Sequence, residues 1–155
     1  MNASIRKLLY DDLPQALPLY GQLGMDDGAV LALSEAQKIY RRMNGYPDYR
    51  LYCAESGSVL IGVFSLLIMD NLGHTGKPSA VLEDIIVDRR WRGRGIGRQM
   101  VAYAMQKSRE YGCYKLSLSS NRNRTDAHRF YEKLGFKKHG FSFAVFSEEM
   151  KAFET

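Results

Sequence analysis

The sequence predicts an α/β (α+β) domain, and three features carry the prediction. Residues 81–105, VLEDIIVDRRWRGRGIGRQMVAYAM, read as a β-branched strand, a loop of glycines and arginines, and an amphipathic helix. Residues 113–119, CYKLSLS, form a second strand after that helix, the order that brings a helix N-terminus to a cleft between parallel strands. Upstream, residues 49–55 and 59–69 alternate like paired strands around a Ser56-Gly57-Ser58 turn.

In chain order, residues 4–9 make a plausible first strand. Asp11 or Asp12 then caps a helix with an apolar stripe of Leu13, Ala16, Leu17, Tyr20 and Leu23, which Gly21 weakens and Gly24 ends. Ser34-Glu35-Ala36-Gln37 resembles a capping box opening a second helix, closed by Gly45 and Pro47. Residues 71–78 hold two glycines and a proline and predict an exposed connection. The helix after the glycine loop continues the face of Ile96 with Val101, Ala104, Met105 and Ser108 and ends at Gly112. A short helix over residues 125–134 carries a stripe of Ala127, Phe130, Tyr131 and Leu134. Residues 141–146 supply a last strand, and the charged tail after Ser147 frays.

At 155 residues, with 45% apolar and 25% charged residues, the chain is the size of one ordinary globular domain, 1–155. The net charge of +5 suits an acidic ligand without selecting one. Cys53 and Cys113 have no CxxC spacing and read as free thiols of a reducing compartment. No signal-peptide core is visible, and the longest apolar run, residues 59–69, is too short for a bilayer, so the reading is cytoplasmic, without a membrane partner. His74, His128 and His139 have no metal-ligand spacing to each other or to the cysteines, so no metal is expected. His128, three residues before Tyr131, either lines a cleft or is a surface or capping residue. No serine occupies a nucleophile elbow.

The loop Arg92-Gly93-Arg94-Gly95-Ile96-Gly97 is the chemical centre of the sequence. Glycines, free amides and a helix N-terminus together make an anion site fit for a phosphate or pyrophosphate. A Walker loop fails because Arg98-Gln99 follow the last glycine, and the dinucleotide fingerprint fails because Arg98 replaces its third glycine. A nucleic-acid patch of Arg89, Arg90, Arg92, Arg94 and Arg98 has only Trp91 interleaved, and the flanking strand and helix fit a buried site better, so no nucleic-acid partner is expected.

The stretch resembles the coenzyme A loop of the GNAT superfamily of N-acetyltransferases, R/Q-x-x-G-x-G/A, at Arg92, Gly95 and Gly97. FYEKLGF at residues 130–136 matches the second signature of that family. The resemblance implies a mixed, mostly antiparallel sheet split by a V-shaped cleft, with helices on both faces. It implies acetyl-CoA as co-substrate, held by the backbone of Ile85, Ile86 and Val87 and by the segment Arg92, Gly93, Arg94, Gly95, Ile96, Gly97 and Arg98. Asn123 or Arg124 would reach the far side of the coenzyme; relatives often carry Asn where this chain has Arg124. It further implies that the first two helices and their linker form one wall of the acceptor site.

Glu83 and Asp84 are adjacent carboxylates in an apolar run. A regular strand would send them to opposite faces, and a β-bulge, which the resemblance implies near here, would change that. A carboxylate in an apolar cleft has a raised pKa suited to a general base; the alternative is a solvated or arginine-paired group. Polyamine-acetylating relatives carry the same Leu-Glu-Asp and use its Glu as base, so the resemblance assigns that role to Glu83, with Asp84 as the second candidate. Tyr131 occupies the place that family members put beside the coenzyme sulfur; a phenol of pKa roughly 10 stays protonated at neutral pH and can protonate a leaving thiolate.

These readings converge on direct acetyl transfer to the primary amine of a small molecule. The Tyr111–Lys115 segment and the Glu83-Asp84 pair resemble glucosamine-6-phosphate N-acetyltransferases, and the run from Asn121 to Tyr131 resembles aminoalkylphosphonate acetyltransferases. A non-catalytic acyl-CoA sensor is the alternative, and the reading leaves room for a homodimer.

Overall fold

The computed structural model describes residues 3–24 and 26–150. Contacts divide the chain into a larger unit ending at Leu118 and a smaller one beginning at Ser119.

The larger unit is built on one five-stranded sheet in the order β1-β2-β3-β4-β5. β1 (Ser4–Lys7), β2 (Tyr49–Ser56), β3 (Val59–Met69) and β4 (Ser79–Val87) are successively antiparallel, and β5 (Lys115–Ser117) runs parallel to β4. The expected α+β class and mixed sheet are what the chain forms. Local chemistry explains the hairpin: Gly57 at φ 61 lets a two-residue turn join Ser56 to Val59. β3, expected to alternate, is buried continuously from Leu60 to Leu66 because both its faces are covered.

Helices cover both faces. α1 (Leu13–Tyr20) buries Leu13, Ala16 and Leu19 against Cys53, Val63 and Ile86. α3 (Ile96–Glu110) lies on the other face, where Tyr103 meets the stacked rings of Tyr52 and Phe64. β3 accommodates α3 through Gly62: a Cβ there would stand 2.8 Å from Met100 Sδ and 2.9 Å from the Ile86 carbonyl oxygen. α2 (Leu33–Gly45) joins the α1 side, its Tyr40 hydroxyl donating to the Leu8 carbonyl at 2.7 Å. No helix among the described residues is long and apolar enough to cross a membrane.

Several boundaries differ from expectation. Asp12 does not cap α1 with its side chain; it accepts from the Leu9 N–H at 2.7 Å and pairs with Arg6 at 2.6 Å, closing the preceding turn. Ser34 is not a cap either: α2 begins one residue earlier, after Ala32, whose carbonyl accepts from both Glu35 and Ala36. In α3 the buried methionine is Met100, while Met105 is only half-buried. α3 ends as foreseen at Gly112, φ 72, with paired bonds from Gly112 to Arg109 and from Cys113 to Ser108 that satisfy its last carbonyls.

The smaller unit contains α4 (Thr125–Lys133) and one helical turn, Ser147–Met150. The expected strand over residues 141–146 does not form; the segment has no regular structure, and Phe141 and Phe143 are each 91% exposed. The expected fraying tail largely lies outside the described residues, although its first four residues are helical.

Candidate active site

The candidate carboxylates sit on an interruption of β4. Its pairing with β3 reaches Ser65↔Glu83 and resumes at Val63↔Ile86, so Phe64 alone stands opposite Asp84 and Ile85. This is a β-bulge, and Asp84 takes it up at φ 50, in the left-handed region. A non-glycine residue held there stores on the order of 1–3 kcal/mol. The bulge sets the parity of the strand. Glu83 and Ile86 would lie on opposite faces of a regular strand; here they pair with Ser65 and Val63, which share the face covered by α1.

Both carboxylates have pKa values above their ordinary range. For Glu83 the larger cause is burial and the smaller is the charge of Asp84; for Asp84 the cause is burial. Both side chains still meet water, which screens the effect. Neither forms an ion pair among the described residues, in spite of the basic loop that follows.

Beyond Val81 the second edge of β4 has no paired strand among the described residues, because the ladder to β5 consists of Ser79↔Lys115, Ala80↔Leu116 and Val81↔Ser117. The Asp88 N–H donates to the Ile61 carbonyl on β3, so strand alternation turns the main chain of Val87 to the open edge and that of Ile86 toward β3. The Ile86 side chain is core, and Ile85 is the half-buried second residue of the bulge. Of the three expected coenzyme-binding residues, Val87 therefore has the clearest free edge. Its carbonyl also accepts from Arg92 Nε at 3.1 Å, which ties the loop back to the strand.

Asp88 anchors the start of the loop. It is buried, accepts from the Arg90 amide at 2.9 Å, and pairs with the Arg90 guanidinium at 2.7 Å, which holds its carboxyl below the usual range. Gly93 and Gly95 follow at φ 74 and φ 80. A Cβ at either would meet nothing within 4 Å, so dihedral angle rather than crowding demands glycine, and the space above the loop is open. Gly95 is the N-cap of α3 and no side chain caps it, which leaves the amides of Ile96, Gly97 and Arg98 without a side-chain acceptor. Arg92, Arg94 and Arg98 are exposed around this positive end of a 15-residue helix, the geometry that an anion cradle requires. Replacing Gly95 with Ala is expected to weaken coenzyme A binding about tenfold, since a left-handed alanine costs on the order of 1–2 kcal/mol; isothermal titration of the variant against wild type measures it.

Two residues that sequence reasoning left out of the site lie beside it. Tyr20, at the end of α1, packs against the cluster containing Val63 and Ile86, the pair next to the bulge. Its phenol is pushed above the ordinary range, first by burial and then by the charge of Asp84. Gln22, two residues on, accepts the Arg89 N–H at 2.9 Å and so joins the α1–α2 connection to the glycine loop. In the sequence Tyr20 counts only as one member of an apolar stripe, and nothing local marks Gln22; only the fold gives either a role.

In the smaller unit, Tyr131 lies on α4 with its ring edge-on to Phe130 at 5.2 Å and Phe136 at 5.8 Å. The predicted stripe of Ala127, Phe130, Tyr131 and Leu134 is the half-buried face of that helix, and Gly135 at φ 94 ends it. The Asn123 amide donates to Asn121 Oδ1 at 2.9 Å, closing the turn before α4, while its side chain is exposed like that of Arg124. His128 Nε2 lies 2.9 Å from the Asn121 carbonyl and ties α4 to the turn before it.

The acetyltransferase (GNAT) family model matches residues 7–136. A glucosamine 6-phosphate N-acetyltransferase of Trypanosoma brucei brucei is 31% identical over 141 residues, 90% of this chain and 92% of that protein. The spermine/spermidine N(1)-acetyltransferase of Bacillus subtilis (strain 168) is 33% identical over 147 residues, 90% of this chain and 91% of the relative. A solved structure from Agrobacterium tumefaciens str. C58 superposes with a TM-score of 0.88 at 30% identity, covering 93% of this chain and 99% of that one. Such agreement runs nearly end to end rather than through one motif, and on it the chain belongs to the acetyltransferase (GNAT) family.

Proposed function

We propose that this chain moves the acetyl group of acetyl-CoA directly to a primary amine of a small molecule. The observation that carries the reading is the open edge of β4, which bears two unpaired carboxylates at its bulge and leads into a glycine turn and an uncapped helix. Membership of the family implies use of acetyl-CoA, and the relatives named above are N-acetyltransferases of small-molecule amines.

In this proposal the amides from Arg92 to Arg98 receive the pyrophosphate, the free edge of β4 at Val87 receives pantetheine, with Ile86 held to β3, and Asn123 adds a contact. The coenzyme supplies an activated acyl group and a thiolate leaving group. Glu83 removes a proton from the ammonium form of the acceptor, and its raised pKa fits that task. Asp84 helps to set that basicity through its charge. The freed amine forms the new C–N bond as the C–S bond breaks, and the second proton that its nitrogen then sheds passes through water to restore the Tyr131 phenol. The Val87 N–H stabilises the charge that develops on the carbonyl oxygen, and Tyr131 gives its phenolic proton to the departing sulfur. Holding both reactants in one orientation contributes more than either proton transfer, since effective molarities reach roughly 10⁵ M or higher.

Thiol release from acetyl-CoA across amino sugars and their phosphates, polyamines, aminoalkylphosphonates, aminoglycosides and peptides tests the reading. One amine class is expected to turn over, and Tyr131→Phe to lower kcat with it on the order of ten- to a hundredfold. Tight coenzyme binding without turnover on any amine would return the chain to the sensor reading.

A further inference from the structure

We propose that Tyr20 is an additional residue of the acceptor site, its hydroxyl forming a hydrogen bond with the incoming amine beside Glu83 and Asp84. This rests on the acyl-transfer reading above and extends it to a residue that no motif marks. Three observations carry it.

The ring is held in place. α1 packs on β3 and β4, and Tyr20 lies against the core cluster that includes Leu19, Val63 and Ile86. Val63 and Ile86 are the pair where regular pairing resumes after the bulge, Glu83 shares their face, and the ring lies within electrostatic reach of Asp84.

The hydroxyl is spare. Three other tyrosines of the larger unit use theirs: Tyr40 donates to the Leu8 carbonyl at 2.7 Å, Tyr111 donates to Asp48 Oδ1 at 3.2 Å, and Tyr10 accepts from Arg41 at 2.8 Å. The Tyr20 hydroxyl has no hydrogen-bond partner among the described residues, yet it is not sealed from solvent as an orphaned core group would be.

The chemistry is complementary. Burial and the neighbouring Asp84 charge keep the phenol neutral. A neutral phenol offers both an acceptor lone pair and a donor proton. It can accept an N–H of the ammonium while a carboxylate takes another proton from the same nitrogen. That fixes the direction from which the amine approaches, which neither carboxylate does alone.

Tyr20→Phe tests this because it removes only the hydroxyl and keeps the packed ring. Steady-state kinetics use the full chain, saturating acetyl-CoA and the amine that wild type turns over best. The KM for the amine is expected to rise about tenfold, the size of one hydrogen bond, with acetyl-CoA affinity and the thermal midpoint unchanged. Amine KM and kcat equal to wild type would overturn the role of Tyr20 and leave acyl transfer standing. A fall in thermal midpoint with parallel loss of affinity for both substrates would overturn it too, since that pattern belongs to packing. Absence of thiol release by wild type with every amine would instead remove the acyl-transfer reading itself, and this inference with it.

Discussion

Glu83→Gln leaves coenzyme binding intact and lowers turnover of the amine by a factor on the order of 10²–10³. The amide keeps the size of the side chain and its place opposite Ser65, and removes only the ability to accept a proton. The pH profile gives the sharper check. The active form of Glu83 is deprotonated, so kcat/KM falls as pH drops through its pKa. Burial, then Asp84, raise that pKa, so the acid limb lies above the ordinary glutamate range. Asp84→Asn removes the smaller cause and moves the limb down, toward lower pH, without abolishing the shift. A Gln variant as fast as wild type, with an unmoved acid limb, would mean that the acceptor reaches its free amine form in solution and that Glu83 is a spectator.

Gly62→Ala destabilises the fold by about 1–3 kcal/mol, the next largest effect expected. The added Cβ would come 2.8 Å from Met100 Sδ and 2.9 Å from the Ile86 carbonyl oxygen. The thioether is flexible and can swing aside. The carbonyl cannot, since Ile86 is paired backbone where the ladder resumes after the bulge. Thermal unfolding should shift down by about 2–4 °C for each kcal/mol in a chain of this size, and coenzyme affinity should weaken as Ile86 and Val87 are displaced. Gly62→Ala combined with Met100→Ala separates the two contacts. Because Met100→Ala itself opens a buried cavity, the comparison is made in that background: Gly62→Ala costing nothing there would place all of the strain on the sulfur and none on the strand.

The fold was legible wherever a periodic pattern coincided with a neighbour to bury it. β2, β3 and α3 are such elements, and each formed close to its expected bounds. Phe141, Phe143 and Val145 alternate just as well, but alternation records a capacity to cover a face and says nothing of whether a strand stands beside it. No described strand pairs with that segment, and its phenylalanines remain in water. Ser34 misled for a related reason: a capping box is a local option, and the chain entered α2 through the Ala32 carbonyl instead. At the candidate site the loop from Arg92 to Gly97 was readable because glycine marks a backbone requirement in the residue itself, confirmed by φ at Gly93 and Gly95. The face on which Glu83 lies was not readable from its neighbours in sequence. It depends on one extra residue in a ladder, which the family resemblance implied and composition could not. Tyr20 and Gln22 depend on approaches across the fold, the latter spanning 67 residues.

That last contact has a thermodynamic side. Arg89 opens the turn that feeds the glycine loop, and Gln22 belongs to the connection proposed to wall the amine. One hydrogen bond thus joins the coenzyme side of the molecule to the acceptor side. Linkage between ligands is symmetrical. Whatever preference an occupied loop passes to that wall through Gln22 must come back, as the same factor, in the grip of the loop on its own ligand. The two substrates would then bind cooperatively, by the same factor whichever arrives first.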